Sequence, residues 1–117
     1  MAYFNYFIAK AACPSCHRTQ DFSFQADIGV LRWDSYFLGD TIAHKSLPGE
    51  RFPLGPDPSC DWTRPFWAAG LDRCKECDTD VKARIEVHHS RFEAAIPDNN
   101  ITDDFAWGYL DIPSHVD

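Results

Sequence analysis

At 117 residues the chain has the length of one domain, long enough to bury well over half of the surface that its unfolded form exposes. Hydrophobic residues at 44% and aromatic residues at 15% exclude the disordered class, which lacks the apolar bulk for a core. The formal charge is −7, and beyond Arg91 the acids Glu93, Asp98, Asp103, Asp104, Asp111 and Asp117 meet no Lys or Arg, a balance that argues against a general grip on nucleic acid.

No apolar run reaches the roughly 18 residues needed to span a bilayer. The opening "MAYFNYFIAK" has neither the basic start nor the small-residue cleavage site of a secretory signal, so a cytoplasmic protein with no membrane partner is expected. Thiols stay reduced in that compartment. The five cysteines therefore point to metal or catalysis before disulfides.

In chain order, "YFNYFIAK" is aromatic and β-branched enough for a first strand leading into Cys13. Phe22, Phe24 and Ala26 alternate with polar neighbours in a second, so that the two flank the first cysteine pair as a hairpin. "VLRWDSYFLGDTIAH" reads as extended, with a turn at Gly39 and Asp40. From His44 to Pro65 the prolines at 48, 53, 56, 58 and 65 remove backbone donors and exclude a regular helix or central strand, leaving a long loop over 44–65. Val81, Ala83, Ile85 and Val87 alternate with Lys82, Arg84 and Glu86, the pattern of a strand with one buried and one wet face. "SRFEAAIPDNN" supplies a turn, a short strand and a second turn. Phe105, Trp107 and Tyr109 at a spacing of two give a last strand in an acidic, aromatic C-terminal segment over 92–117.

Chemistry concentrates in "CPSCH" and "CKEC". Cys13 and Cys16, and again Cys74 and Cys77, are separated by two residues, which lets both thiolates of a pair face one ion from a tight turn. Each pair is half a tetrahedron. Cys-x-x-Cys-His also matches the attachment pattern of a c-type haem, with His17 as axial ligand, but that leaves Cys74 and Cys77 without a role. A redox dithiol needs a helix opening at the motif, whereas "HRTQDFSFQ" alternates like a strand.

On these two turns the chain resembles the zinc-ribbon and rubredoxin-like group, in which two cysteine knuckles on hairpins clamp one metal. The resemblance covers the knuckles and their flanking strands. It implies a mainly β fold, a small zinc-ribbon-like antiparallel domain over 1–117 with a long proline-rich insertion, and a metal held by Cys13, Cys16, Cys74 and Cys77. Members often carry Gly after the second cysteine of a knuckle, where the backbone wants positive φ; His17 and Asp78 stand there, and both residue types tolerate that conformation. Four thiolates suit one zinc ion or one iron, and four protein ligands leave no open position for substrate.

Other residues read more plainly. Cys60 has no matched base and reads as an ordinary thiol. His88 and His89 point to opposite faces of a strand and cannot chelate one ion. Asp103 and Asp104 with Phe105, Trp107 and Tyr109 combine acids and aromatic anchors suited to a basic protein partner; the competing reading puts the rings in the core. The expected function is accordingly non-enzymatic: a structural-zinc domain that binds another protein, in a narrower form an antitoxin-like or immunity-like protein masking a basic active site. A rubredoxin-like iron electron carrier is the first alternative. A nucleic-acid-binding zinc ribbon is the second, and it would need a basic face around Lys75, Lys82, Arg84 and Arg91, which Glu76, Asp78, Asp80 and Glu86 interrupt.

Overall fold

The structure, a computed structural model, describes residues 3–110. Strand is the only regular element among them: β1 (Asn5–Ala12), β2 (Thr19–Ala26), β3 (Gly29–Val30), β4 (Ser35–Phe37), β5 (Leu54–Gly55), β6 (Phe66–Arg73), β7 (Asp80–His88), β8 (Arg91–Pro97) and β9 (Trp107–Tyr109). A seven-stranded sheet runs β4-β1-β2-β6-β7-β8, with β9 also beside β6, and β3 and β5 form a small second sheet. The fold is mainly β, as expected. No helix among the described residues is long and apolar enough to cross a membrane.

Two long hairpins make the frame. In β1 and β2, Phe7 faces Phe24 and Ala9 faces Phe22 across the pair, and all four side chains are buried. Their period of two brings every second residue onto one face. In β7, Val81, Ala83, Ile85 and Val87 are buried while Lys82, Arg84 and Glu86 lie on the other face. The partner of β7 is β6, the central strand, which the pattern of alternation in the sequence leaves unassigned. "FWAAGLDR" lacks polar alternation because both of its faces are covered over 66–71, with Phe66, Ala68, Ala69 and Gly70 buried and Trp67 and Leu71 half-buried. Its Gly70 is there for space: a Cβ would lie 2.9 Å from Ile85 Cγ1 and 3.0 Å from Phe24 Cβ.

The sheet curls into a half-barrel. Phe7 of β1 meets Phe92 of β8 edge-on at 5.2 Å. The segment after β4 closes the gap: Gly39 N donates to Phe92 O (2.8 Å), Phe92 N to Asp40 O (3.0 Å) and Ile42 N to Ser90 O (2.7 Å). The seam between the two hairpins is much thinner, since β2 and β6 pair only through Gln25↔Leu71 and Ala26↔Gly70. Nearer the knuckles the Asp72 carboxylate enters the seam, accepting from Ser23 N (2.8 Å) and Arg73 N (2.7 Å).

The loop over 44–65 is packed. It contributes β5, which pairs Gly29↔Gly55 and Val30↔Leu54. Gly55 lies so close to Asp27 that a Cβ there would stand 2.1 Å from Asp27 O. Farther along, Trp62 stacks on His44 at 4.4 Å and meets Phe66 edge-on, and Cys60 joins the core.

Asn5 ties the crossover from β2 to β4 onto β1. Its side chain is wholly buried. Nδ2 donates to Ile28 O (2.8 Å) and Val30 O (2.9 Å), and Oδ1 accepts from Arg32 N (3.3 Å) and Asp34 N (3.0 Å). Every hydrogen-bonding position of the amide is used. Replacing Asn5 by Ala strands four backbone groups, and each buried orphan costs about 1–3 kcal/mol unless water reaches it. Asn5→Ala is expected to lower stability by roughly 3 kcal/mol or more, read from the urea midpoint, with Asn5→Leu no better although it is more apolar.

Candidate metal centre

The turns that follow β1 and β6 have the same backbone. In the first, His17 N donates to Cys13 O (2.8 Å) and Cys13 N to Arg18 O (3.0 Å); in the second, Asp78 N donates to Cys74 O and Cys74 N to Thr79 O, both at 2.9 Å. His17 and Asp78 have φ of 63° and 58°, the left-handed conformation that lets each chain turn back into its hairpin. The sequence expectation for these two positions is met.

Because β2 and β6 are neighbours, the two turns stand side by side at one end of the sheet and their sulfurs converge. Cys13 Sγ lies 3.7 Å from Cys77 Sγ and Cys16 Sγ 3.7 Å from Cys74 Sγ, and all four sulfurs lie within 4.8 Å of one another. A metal–sulfur distance of about 2.3 Å sets the edge of a regular tetrahedron at about 3.8 Å. A disulfide would need about 2.05 Å. The spacing fits four thiolates around one ion, which each pair approaches from its own hairpin. Cys13 and Cys74 are buried, and Cys16 and Cys77 half-buried.

The surroundings favour negative sulfur unevenly. Burial works to raise Cys74, but the amides of Cys77 and Glu76, the Cys77 thiol and the Gln20 amide outweigh it and bring the pKa down to about 6. The Cys16 amide leads in lowering Cys13, against burial. Arg18's amide would lower Cys16, yet burial and the neighbouring thiols push it up to about 11. Four negative sulfurs this close repel one another, and a cation at their centre removes the conflict. Gln20 is the residue that sequence reasoning misses. Its Nε2 donates to Cys74 Sγ (3.1 Å) and its Oε1 accepts from Lys75 N (3.3 Å), so a side chain of the first hairpin steadies the second knuckle. Gln20 acts here through a hydrogen bond to sulfur and adds no thiolate, and nothing in "TQDF" marks it.

Other candidate residues lie apart from this cluster. Among the described residues no second group of three or more metal-binding side chains comes together. Cys60 is buried in the core, and burial, then the charges of Asp61 and Asp57, push its pKa up to about 11. His17 and His89 are exposed, the latter with φ 52° in the turn after β7, while His88 faces Glu86 at 3.7 Å.

The acidic aromatic set divides. Asp103 holds a turn by accepting from Phe105 N (2.9 Å). Trp107 and Tyr109 belong to β9 and pack against the core, with Arg64 3.8 Å over the Tyr109 ring and the Tyr109 hydroxyl accepting from Asp61 N (2.9 Å). Asp104 pairs with Lys82 at 3.1 Å. Of the three rings only Phe105 stands out, 74% exposed.

The chain matches no protein-family model, no curated protein and no solved structure.

Cys60 and the four clustered cysteines should separate chemically. In the metal-loaded native protein at pH 8, iodoacetamide is expected to modify Cys60 about a hundredfold more slowly than in the unfolded chain, since two pKa units remove that share of thiolate. The sign for stability follows. Folding favours the neutral thiol, so Cys60's contribution is complete below its ordinary pKa of 9 and is lost as pH rises towards 11. Cys60→Ala should retain the full metal content and flatten that alkaline loss, as urea melts between pH 8 and 11 would show.

Proposed function

We propose that the four cysteines hold one zinc ion, that the chain is a zinc-ribbon-like domain, and that it works by binding another protein. The observation that carries the metal reading is the set of four converging sulfurs at tetrahedral spacing, supplied as two equivalent knuckles from neighbouring hairpins. Cys13 and Cys16 provide one half of the shell and Cys74 and Cys77 the other, with Gln20 orienting Cys74. A zinc ion saturated by four protein sulfurs has no place for water or substrate, so it would supply cohesion and not catalysis. Zinc-finger peptides gain on the order of 10 kcal/mol or more from such a site, comparable with the whole stability of a typical domain.

The protein-binding part rests on the surface. Net charge is −7, and three of the basic side chains are already engaged: Arg73 with Asp78 and Asp80 (both 3.3 Å), Lys82 with Asp104, and Arg84 over the Trp67 ring. That distribution disfavours the nucleic-acid-binding ribbon and suits a basic protein partner, in the narrower form an antitoxin-like or immunity-like mask. Iron in the same four sulfurs is the second reading, that of a rubredoxin-like electron carrier. Amides aimed at sulfur, such as Ser15 N on Cys13 Sγ (3.4 Å), would serve iron as they serve zinc, and with iron such bonds would tune the potential.

Elemental analysis and a visible spectrum of protein purified without added metal decide between them. One zinc per chain and no colour are expected. A red protein with one iron would replace zinc by the electron carrier, and metal-free protein of full stability would remove both. Cys13→Ser and Cys74→Ser should each lose the metal and the cooperative thermal transition.

A further inference from the structure

β6 changes partners along one edge. Its Gly70 and Leu71 pair with β2, its Phe66–Ala68 stretch pairs with β9, and between them Ala69 N donates to Ala106 O (2.9 Å). A groove of about 390 Å³ lies over this fork, lined among others by Ala69 and Leu71, the rings Tyr3 and Phe105, and the acids Asp27 and Asp104. No Lys, Arg or His lines it among the described residues.

The two acids differ. Asp104 has Lys82 as its partner. Asp27 is half-buried and receives no hydrogen bond or ion pair from the described residues, and burial raises its pKa. Gly55 packed against its carbonyl holds its backbone beside the groove. A half-buried carboxylate without a donor has a cost that a cationic ligand would relieve. Beside it Phe105 faces water at 74% exposure, and Tyr3, with one face stacked on Trp33 (5.0 Å), is 42% exposed.

From this we infer that the groove receives an arginine side chain from a basic protein segment, with the guanidinium on Asp27 and its flat face against Phe105 or Tyr3. This rests on the protein-binding reading above and gives that partner its recognition chemistry. Arginine fits better than lysine because its planar, weakly hydrated head both forks onto a carboxylate and stacks on an aromatic ring. A hard metal ion would need more oxygen donors than one unpaired carboxylate supplies.

The test uses metal-loaded, full-length protein and three blocked pentapeptides, Gly-Gly-X-Gly-Gly with X as arginine, lysine or the neutral isostere citrulline, followed by amide chemical shifts. Arginine peptide should shift the amides of Asp27, Ala69, Leu71 and Phe105, and citrulline should bind at least tenfold more weakly, given the usual strength of charge-assisted bonds. Lysine should bind several-fold more weakly. Asp27→Asn is expected to weaken arginine binding about tenfold, whereas Asp21→Asn, which removes the same charge from an exposed site paired with Lys10 (3.5 Å), should not. Phe105→Ala, at a ring already in water, should weaken it severalfold with an unchanged melt. Equal binding of citrulline or lysine overturns the arginine assignment. Equal losses in the two Asn variants, shifts elsewhere, or no binding overturn the groove, but leave the metal centre and a basic partner bound by other contacts to their own tests.

Discussion

Four sulfurs within 4.8 Å of one another are the constraint on which this fold turns. Thiols gathered this tightly cannot all ionise without a positive charge among them, and Cys74 and Cys16 display the conflict, one drawn down to about 6 and the other pushed up to about 11. The knuckles exist to arrange that conflict. Their matching hydrogen bonds and left-handed fifth residues deliver two sulfurs from each hairpin in the same pose. A cation at the centre would turn mutual repulsion into a four-way bond.

That bond would lie where the sheet needs it. The seam between the hairpins has only two backbone residue pairs, and Asp72 occupies part of the remainder. One end of β1 runs into Cys13 and the other begins with Asn5, whose four hydrogen bonds fasten the crossover. The core between them is aromatic and aliphatic, drawn from the inner faces of both hairpins and from β8. Polar and sulfur chemistry thus fixes the two ends of the first strand, and hydrophobic burial fills the middle.

What the sequence discloses tracks how local the signal is. The doubled Cys-x-x-Cys identifies the four thiols, since the geometry of each knuckle depends on adjacent residues alone. β7 is legible because one of its faces is wet. β6 is hidden: covered on both faces, it carries Ala68, Ala69 and Gly70 where a strand usually shows branched residues, and the reason for Gly70 lies in Phe24 and Ile85, distant in sequence. Gln20 and Asp27 are equally opaque, because each owes its environment to a neighbour from another hairpin or loop. In sequence the tail aromatics form one set with two competing roles; the structure packs the half-buried Trp107 and Tyr109 against the core and leaves Phe105 in water.

The thin seam also bears on how the chain reaches this state. Each hairpin closes over a short stretch of chain, so both can form early and independently. Joining them means closing the long segment between Ala26 and Phe66, an entropic cost that few seam contacts repay at once. On this entropy argument the meeting of two preformed knuckles is expected to come late in assembly. Metal supply would govern when the chain commits to its fold as well as how firmly it keeps it.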